Sequence, residues 1–161
     1  MDTPKTSRRE FCVHAVTFVT VASLIEGCGG GGDSNPNNPG GGGGGVPQLT
    51  TVGGTVANGV VSVNVDAASP LASVGGAALV RASAGPGSFL VVRTAQDTFN
   101  AMTAICTHEA CEVTGFQSST FVCPCHGSQY TTGGAVRSGP ATQSLRTFPT
   151  QFTNSVLTIT V

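Results

Sequence analysis

Cysteine and histidine side chains are concentrated between residues 106 and 130. Residues 106–111 read Cys-Thr-His-Glu-Ala-Cys, and eleven residues later residues 123–130 read Cys-Pro-Cys-His-Gly-Ser-Gln-Tyr. Each half offers one cysteine and one histidine at short spacing, and a further cysteine remains in each half. Two cysteines with two histidines suit either a zinc ion or an iron–sulfur centre with mixed ligands.

This stretch resembles the cluster-binding motif of Rieske iron–sulfur proteins, Cys-x-His-x-Gly-Cys followed by Cys-x-Cys-His-x-Ser-x-Tyr. More narrowly, it resembles the high-potential Rieske proteins of cytochrome bc-type, quinol-oxidising complexes. Eight positions fit at fixed spacing within 25 residues, whereas Ala110 stands where the family usually has glycine. The resemblance implies an all-β fold of antiparallel sheets, a sandwich or barrel with a small inserted cluster-binding subdomain, which we place near residues 101–142.

The resemblance also implies one 2Fe-2S cluster, with Cys106 and Cys123 on one iron and His108 and His126 on the other. Two neutral imidazoles in place of two thiolates make the oxidised centre less negative, so that it accepts an electron more readily. Rieske centres accordingly span roughly −150 to +300 mV, against about −400 mV for plant-type clusters with four cysteines. An imidazole ligand can also lose its outer N–H on oxidation, which couples the electron to a proton.

Four further side chains and one short segment acquire roles by the same resemblance. Ser128 and Tyr130 match hydroxyl donors to cluster and cysteine sulfur, which raise the potential; the alternatives are a turn cap and a core tyrosine. Cys111 and Cys125 match a disulfide that ties the two loops together, rather than two buried thiols, and this bond requires an oxidising compartment. Residues 139–141, Gly-Pro-Ala, resemble the loop that covers the cluster, or form a simple surface turn.

Glu109 departs from the bc-type pattern, which usually has leucine at this position. The residue lies on the tip that docks beside the quinol site in that family, and burying a carboxylate there is costly. The alternative is an exposed glutamate on a loop.

The remaining composition limits the classes of partner. Only 9% of the residues are charged and the net charge is −1. Beyond residue 28 there is no lysine, and five acidic residues accompany four arginines: Asp33, Asp66, Asp97, Glu109 and Glu112 with Arg81, Arg93, Arg137 and Arg146. Because no basic cluster exists, we expect no nucleic-acid partner.

Residues 1–28 are predicted to be an export signal. Ser7-Arg8-Arg9-Glu10-Phe11 resembles the twin-arginine signal, which serves proteins that are folded around cofactors before export, and an apolar run of fifteen residues follows. Such a run is short for a membrane span. The alternative is an ordinary signal peptide with a chance arginine pair.

Cys28 ends a segment, Ile-Glu-Gly-Cys, that resembles a bacterial lipoprotein cleavage box. It is therefore a lipidation candidate that would tether the protein to a membrane; an uncleaved short anchor and plain secretion are the alternatives. Residues 29–47, rich in Gly, Asn and Pro, are predicted to be a disordered linker with a span of about 25 Å. It serves either to let the domain move between redox partners or as a passive spacer.

The sequence from residue 48 to residue 161 is predicted to be the Rieske domain. Short runs of β-branched and aromatic residues separated by Gly and Pro predict an all-β sandwich or barrel. The runs lie at residues 60–65, 77–82, 88–93, 99–105, 120–122 and 155–161.

The leading functional hypothesis is a periplasm-facing, membrane-tethered electron carrier that takes one electron from quinol or a partner enzyme and passes it to a cytochrome or similar acceptor. No substrate pocket is recognisable, so we expect no catalysis by the chain alone. A second hypothesis is the small subunit of a molybdenum oxidoreductase of the arsenite oxidase type. A third, from a different class, is a structural zinc domain with the same four ligands.

Overall fold

The computed structural model describes residues 45–85 and 87–161. The predicted export signal, Cys28 and the predicted linker up to residue 44 lie outside these described residues. Twelve β-strands are the regular elements of the described part: β1 (Thr51–Ala57), β2 (Val60–Asn64), β3 (Ala77–Ala82), β4 (Ser88–Ala95), β5 (Thr98–Thr103), β6 (Gly115–Gln117), β7 (Thr120–Val122), β8 (Gln129–Thr131), β9 (Val136–Ser138), β10 (Thr147–Phe148), β11 (Thr150–Thr153) and β12 (Val156–Thr160). The predicted all-β class is confirmed.

Eight strands form one large sheet, in the order β10-β5-β4-β3-β1-β2-β12-β11. Strands β10 and β11 lie at opposite ends of this order, yet only Pro149 separates them in the chain. The hydroxyl of Thr150 donates to the carbonyl of Phe99 on β5 at 2.7 Å, while the amide of Thr160 on β12 donates to the carbonyl of Pro149 at 3.0 Å. The segment 147–153 therefore brings the two edges together and nearly closes the sheet into a barrel.

Among the strands of the described part, the pairings are antiparallel, as expected, except for β1 and β3, which run parallel in the register Thr51↔Leu79. Strands β1 and β2 form a hairpin through Asn58 and Gly59, whose φ angles are 51° and 75°. Two successive positive φ values match the right-handed twist of the flanking strands, which is why this turn type closes two-residue hairpins.

Strand β4 connects the two cores of the domain. Because side chains alternate across a strand, Phe89 and Val91 point into the barrel core, whereas Leu90 and Val92 point into a second core. All four are at most 2% exposed. The continuous apolar run that predicted this strand is therefore the signature of a strand covered on both faces.

The second core lies between the barrel and a smaller sheet, in the order β6-β7-β8-β9. Cys106, Cys123 and Tyr130 are part of this core, together with Val113 and Phe121. The predicted subdomain near residues 101–142 contains this sheet, while its first residues, up to Thr103, form β5 of the barrel. No helix of the described residues is long and apolar enough to cross a membrane.

Candidate iron–sulfur site

Two loops with the same backbone pattern carry the predicted ligands. In the first loop, between β5 and β6, the amide of Cys106 donates to the carbonyl of Cys111 at 2.8 Å, and the amide of Ala110 donates to the carbonyl of Cys106 at 3.0 Å. Ala110 has a φ of 55°, in the left-handed region that glycine adopts more easily. The structure thus gives a physical reason for the glycine that the motif usually has here.

The second loop, between β7 and β8, repeats this arrangement. The amide of Cys123 donates to the carbonyl of Ser128 at 2.8 Å, and the amide of Gly127 donates to the carbonyl of Cys123 at 3.0 Å. Gly127 has a φ of 71° and thus occupies the position that corresponds to Ala110. Each loop is therefore a closed turn that begins with a cysteine at the base and presents a histidine near the tip.

A disulfide joins the two loops. The sulfurs of Cys111 and Cys125 are 2.12 Å apart, and the two residues are separated by 14 positions in the chain. This is the pair that the resemblance implied. The sulfur of Cys123 lies within 4.8 Å of both sulfurs of the bond, so the covalent link is part of the ligand region.

Cys106 and Cys123 are the free cysteines of the described residues, and both are buried. Burial raises the pKa of Cys106, but hydrogen bonds from the Tyr130 hydroxyl and the His108 backbone amide outweigh it and leave this pKa lowered. Burial also raises the pKa of Cys123, and the proximity of Cys106 adds to the rise. The two sulfurs thus share a small volume in which one thiolate forms easily, and the positive charge of a bound metal would stabilise the second.

The two histidine rings meet at the tips of the loops. Their centroids are 4.9 Å apart, and the ring planes are inclined by 84°. The Nδ1 atom of His108 is buried and has no hydrogen-bond partner within the described residues. Because a buried polar atom without a partner is costly, this nitrogen fits a metal ligand better than a structural histidine.

Tyr130 connects β8 to the first ligand loop. Its side chain is fully buried, and its hydroxyl oxygen lies 3.2 Å from the sulfur of Cys106. Burial raises the pKa of Tyr130, and the contact with Cys106 raises it further, so the phenol keeps its proton. A protonated phenol beside a ligand sulfur is a hydrogen-bond donor aimed at the site.

Thr107 is also part of the site, although the sequence pattern did not predict a role for it. Its backbone amide donates to the Tyr130 hydroxyl at 3.2 Å, and its own hydroxyl lies 3.1 Å from that oxygen. The hydroxyl of Thr107 also donates to the carbonyl of Gln143 at 2.6 Å. Its position between Cys106 and His108 was the available signal, but nothing in the sequence pattern indicated a contact with residue 143.

Ser128 and residues 139–141 form the other side of the site. Ser128 is fully buried, and its hydroxyl oxygen accepts the amide of Ala141 at 3.2 Å, which leaves its hydroxyl hydrogen available to donate. Gly139 has a φ of 96°, and a Cβ there would lie 2.6 Å from the Cα of Ser128. The segment containing Pro140 is thus packed directly against the second ligand loop.

Glu109 lies beside both histidines at the exposed end of the site. Its Oε2 atom is 3.7 Å from Nδ1 of His126, and the side chains are 61% and 47% exposed, respectively. One ligand atom each from His108, Glu109 and His126 falls within 4.8 Å of the others. Glu109, which stands where the bc-type pattern usually has leucine, is therefore a neighbour of the predicted ligands.

Comparisons with known proteins agree with this geometry. A family model described as the Rieske [2Fe-2S] domain matches residues 63–149. The "Cytochrome b6-f complex iron-sulfur subunit 1" of Trichormus variabilis is 32% identical over 151 residues, which cover 90% of this chain and 79% of the relative. The "Cytochrome b6-f complex iron-sulfur subunit" of Prochlorococcus marinus strain NATL1A is 35% identical over 156 residues, which cover 89% and 79%.

A solved structure is also similar to this chain. The crystal structure of the cyanobacterial plasma membrane Rieske protein PetC3 from Synechocystis PCC 6803 superposes with a TM-score of 0.51 at 29% identity. The match covers 62% of this chain and 99% of that chain.

Proposed function

The chain belongs to the Rieske [2Fe-2S] domain family and binds one 2Fe-2S cluster, and we propose that Cys106 and Cys123 ligate one iron and His108 and His126 the other. Two observations carry this ligand set: Nδ1 of His108 is buried without a hydrogen-bond partner among the described residues, and the two cysteines at the bases of the same loops are buried free thiols. Zinc is less suitable, since a zinc site has no use for hydroxyl donors at its sulfurs or for the disulfide between its loops.

The proposed role is one-electron transfer at high potential, which is the chemistry that the bound cluster supplies. Tyr130 holds its proton beside the Cys106 sulfur, and Ser128 has a hydroxyl hydrogen free to donate toward the cluster. Donors aimed at sulfur stabilise the more negative, reduced state and so raise the potential. These two residues favour the upper part of the Rieske range.

For the electron path, we propose transfer from quinol or a partner oxidoreductase to an acceptor such as a cytochrome. The relatives are cytochrome b6-f complex subunits by name, which supports a cytochrome b-type partner. The exposed carboxylate of Glu109 beside both imidazoles also favours a second candidate, a small subunit of a larger oxidoreductase such as the arsenite oxidase type. Burying this carboxylate in an apolar quinol site would be costly.

For the location, we propose the extracytoplasmic side of a membrane. The Cys111–Cys125 disulfide supports export, because such bonds persist in oxidising compartments. The twin-arginine-like signal and the lipidation candidate Cys28 would supply export and tethering. Mass spectrometry of the mature N-terminus tests this: an acylated Cys28 supports the lipid anchor, whereas an unmodified one argues against it.

Spectroscopy of the purified protein tests the ligand set. We expect two irons and two acid-labile sulfides per chain, with an electron paramagnetic resonance signal on reduction. His126→Ala should abolish this signal, while Pro124→Ala, a change at another exposed residue of the same loop, should retain it. A colourless protein with one zinc, or a normal signal in the histidine variant, would overturn the assignment.

A further inference from the structure

We infer that the negative charge of Glu109 lowers the midpoint potential of this site relative to a neutral residue at the same position. The inference rests on the proposed ligand set. It concerns a residue that the family motif leaves unspecified.

The contact between Glu109 and the imidazoles is electrostatic. Its Oε2 atom lies 3.7 Å from Nδ1 of His126, which is longer than a hydrogen bond. Since the acidic group also lies within 4.8 Å of a ligand atom of His108, both proposed histidine ligands experience its charge. The interaction requires charge and proximity, and it does not require a particular hydrogen-bond geometry.

Among residues 45–85 and 87–161, no arginine pairs with the carboxylate of Glu109. Within the described residues, its one nitrogen partner inside 4.0 Å is the His126 ring. The other carboxylate of the same loop, Glu112, forms an ion pair with Arg81 at 2.5 Å. The loop therefore carries two glutamates in different surroundings. Glu109 lies beside the imidazoles, whereas Glu112 is paired with Arg81 of strand β3.

Where both imidazoles keep their outer N–H groups, reduction of the site adds one electron and hence one unit of negative charge. A carboxylate nearby repels that added charge, so it stabilises the oxidised state relative to the reduced state. The effect opposes that of Tyr130 and Ser128, which lie on the buried side of the site. The potential is thus the balance of buried donors and one exposed anion.

Mediated redox titration of the holoprotein at pH 7 and low salt, monitored by electron paramagnetic resonance, tests this inference. We expect Glu109→Gln to raise the midpoint potential, and Glu109→Lys to raise it by about twice as much because it changes the charge by two units. The matched control Glu112→Gln makes the same change of charge outside the group formed by Glu109 and the two imidazoles, so it should shift the potential less. Equal potentials for the wild type and Glu109→Gln would overturn the inference, as would an equal shift in Glu112→Gln.

A second measurement varies the salt concentration for the wild type and Glu109→Gln instead of introducing a further variant. Raising the ionic strength from about 0.01 M to 1 M shortens the Debye length from about 30 Å to 3 Å. The wild-type potential should rise toward that of Glu109→Gln; a constant difference between the two proteins would count against an exposed charge. Absence of the resonance signal in the wild type would instead overturn the ligand set itself, so the two failures are distinguishable.

Discussion

The hydroxyl oxygen of Tyr130 lies 3.2 Å from the sulfur of Cys106, at the boundary between the barrel and the smaller sheet. The phenol has one hydrogen and two possible acceptors, the Cys106 sulfur and the Thr107 hydroxyl oxygen. Since the Thr107 hydroxyl donates its own hydrogen to the carbonyl of Gln143, it can only accept from the phenol, and the Thr107 backbone amide is the group that donates to the tyrosine oxygen. A ligand thiolate attracts the phenolic hydrogen more strongly than a neutral hydroxyl does.

Tyr130→Phe should therefore lower the midpoint potential. A hydrogen bond to a charged group is worth about 1.5–3 kcal/mol, and about 59 mV corresponds to a tenfold change for a one-electron couple. If the bond is stronger to the reduced site by about 1.4 kcal/mol, which is a tenfold change, the potential falls by about 60 mV. Redox titration of the two holoproteins measures the difference.

The control for this change is Thr131→Val, at the next position along β8. The hydroxyl of Thr131 accepts the amides of Gly133 and Ala135 in a turn, at 3.3 and 3.2 Å, and does not contact the site. Its loss should reduce stability but leave the potential unchanged. If the two variants shift the potential equally, the effect of Tyr130 is structural.

Gly139→Ala should disrupt the second ligand loop. A Cβ at this residue would lie 2.6 Å from the Cα of Ser128 and 3.0 Å from the Gly127 carbonyl oxygen, and φ is +96°. Both obstacles are backbone atoms that cannot rotate away, so the segment must move and the change should cost about 1–3 kcal/mol. We expect a lower cluster content, measured as iron per chain and visible absorbance.

Gly133→Ala is the matched control. Its added Cβ would meet only the Thr131 hydroxyl at 3.8 Å, which is ordinary van der Waals contact. Cluster content should therefore be close to that of the wild type. Full loading in the Gly139 variant would show that the covering segment adapts independently of the ligand loop.

The site was easier to predict than the sheet that supports it. Ligand chemistry requires particular side chains at particular spacings, and these are visible in a single sequence. The contact between Thr107 and Gln143 was not visible, because it joins segments 36 positions apart and uses a backbone carbonyl. Local patterns do not report such a partner.

The strands also differ in how well the sequence predicts them. The runs at β3 and β4 were recognisable because their apolar and β-branched side chains are continuous. Strand β1 was missed because Gly53 and Gly54 suggest a turn, whereas a Cβ at Gly54 would lie 2.7 Å from Cγ1 of Val61. That glycine leaves room inside the barrel for the side chain of Val61 on the neighbouring strand, and this reason appears only in the folded barrel.

The smaller sheet was mostly missed because its strands have three residues each, too few to establish a period of two. Its hairpin between β6 and β7 turns through Ser118 and Ser119, with φ values of 48° and 57°. Two serines are not a sequence signal for such a turn. The Asn58-Gly59 pair between β1 and β2 is such a signal, although the sequence prediction did not use it.

Removal of the disulfide by the double change Cys111→Ser and Cys125→Ser should lower the free energy of unfolding. Closing a loop of about 15 residues is worth about 3 kcal/mol in the chain-entropy account. Denaturant titration of the holoproteins measures this difference. A reducing agent should destabilise the wild type but have no further effect on the double variant; equal stabilities would mean that cluster ligation alone ties the loops.

Ala110→Gly should stabilise the protein while leaving the ligands in place. The alanine is held at a φ of 55°, where an L side chain is strained by roughly 1 kcal/mol and glycine is not. Part of this gain is lost, because glycine is more flexible in the unfolded chain. We therefore expect an increase of a few tenths to about 1 kcal/mol in the free energy of unfolding, measured by denaturant titration.

The equivalent position of the other loop supplies the reverse experiment. Gly127 has a φ of 71° and open space where a Cβ would be, so Gly127→Ala introduces backbone strain without a clash. It should destabilise the protein by about 1 kcal/mol, opposite in sign to the change at Ala110. Since Ala110 and Gly127 close turns of the same form, changes of the same sign would mean that backbone conformation does not decide the residue at either place.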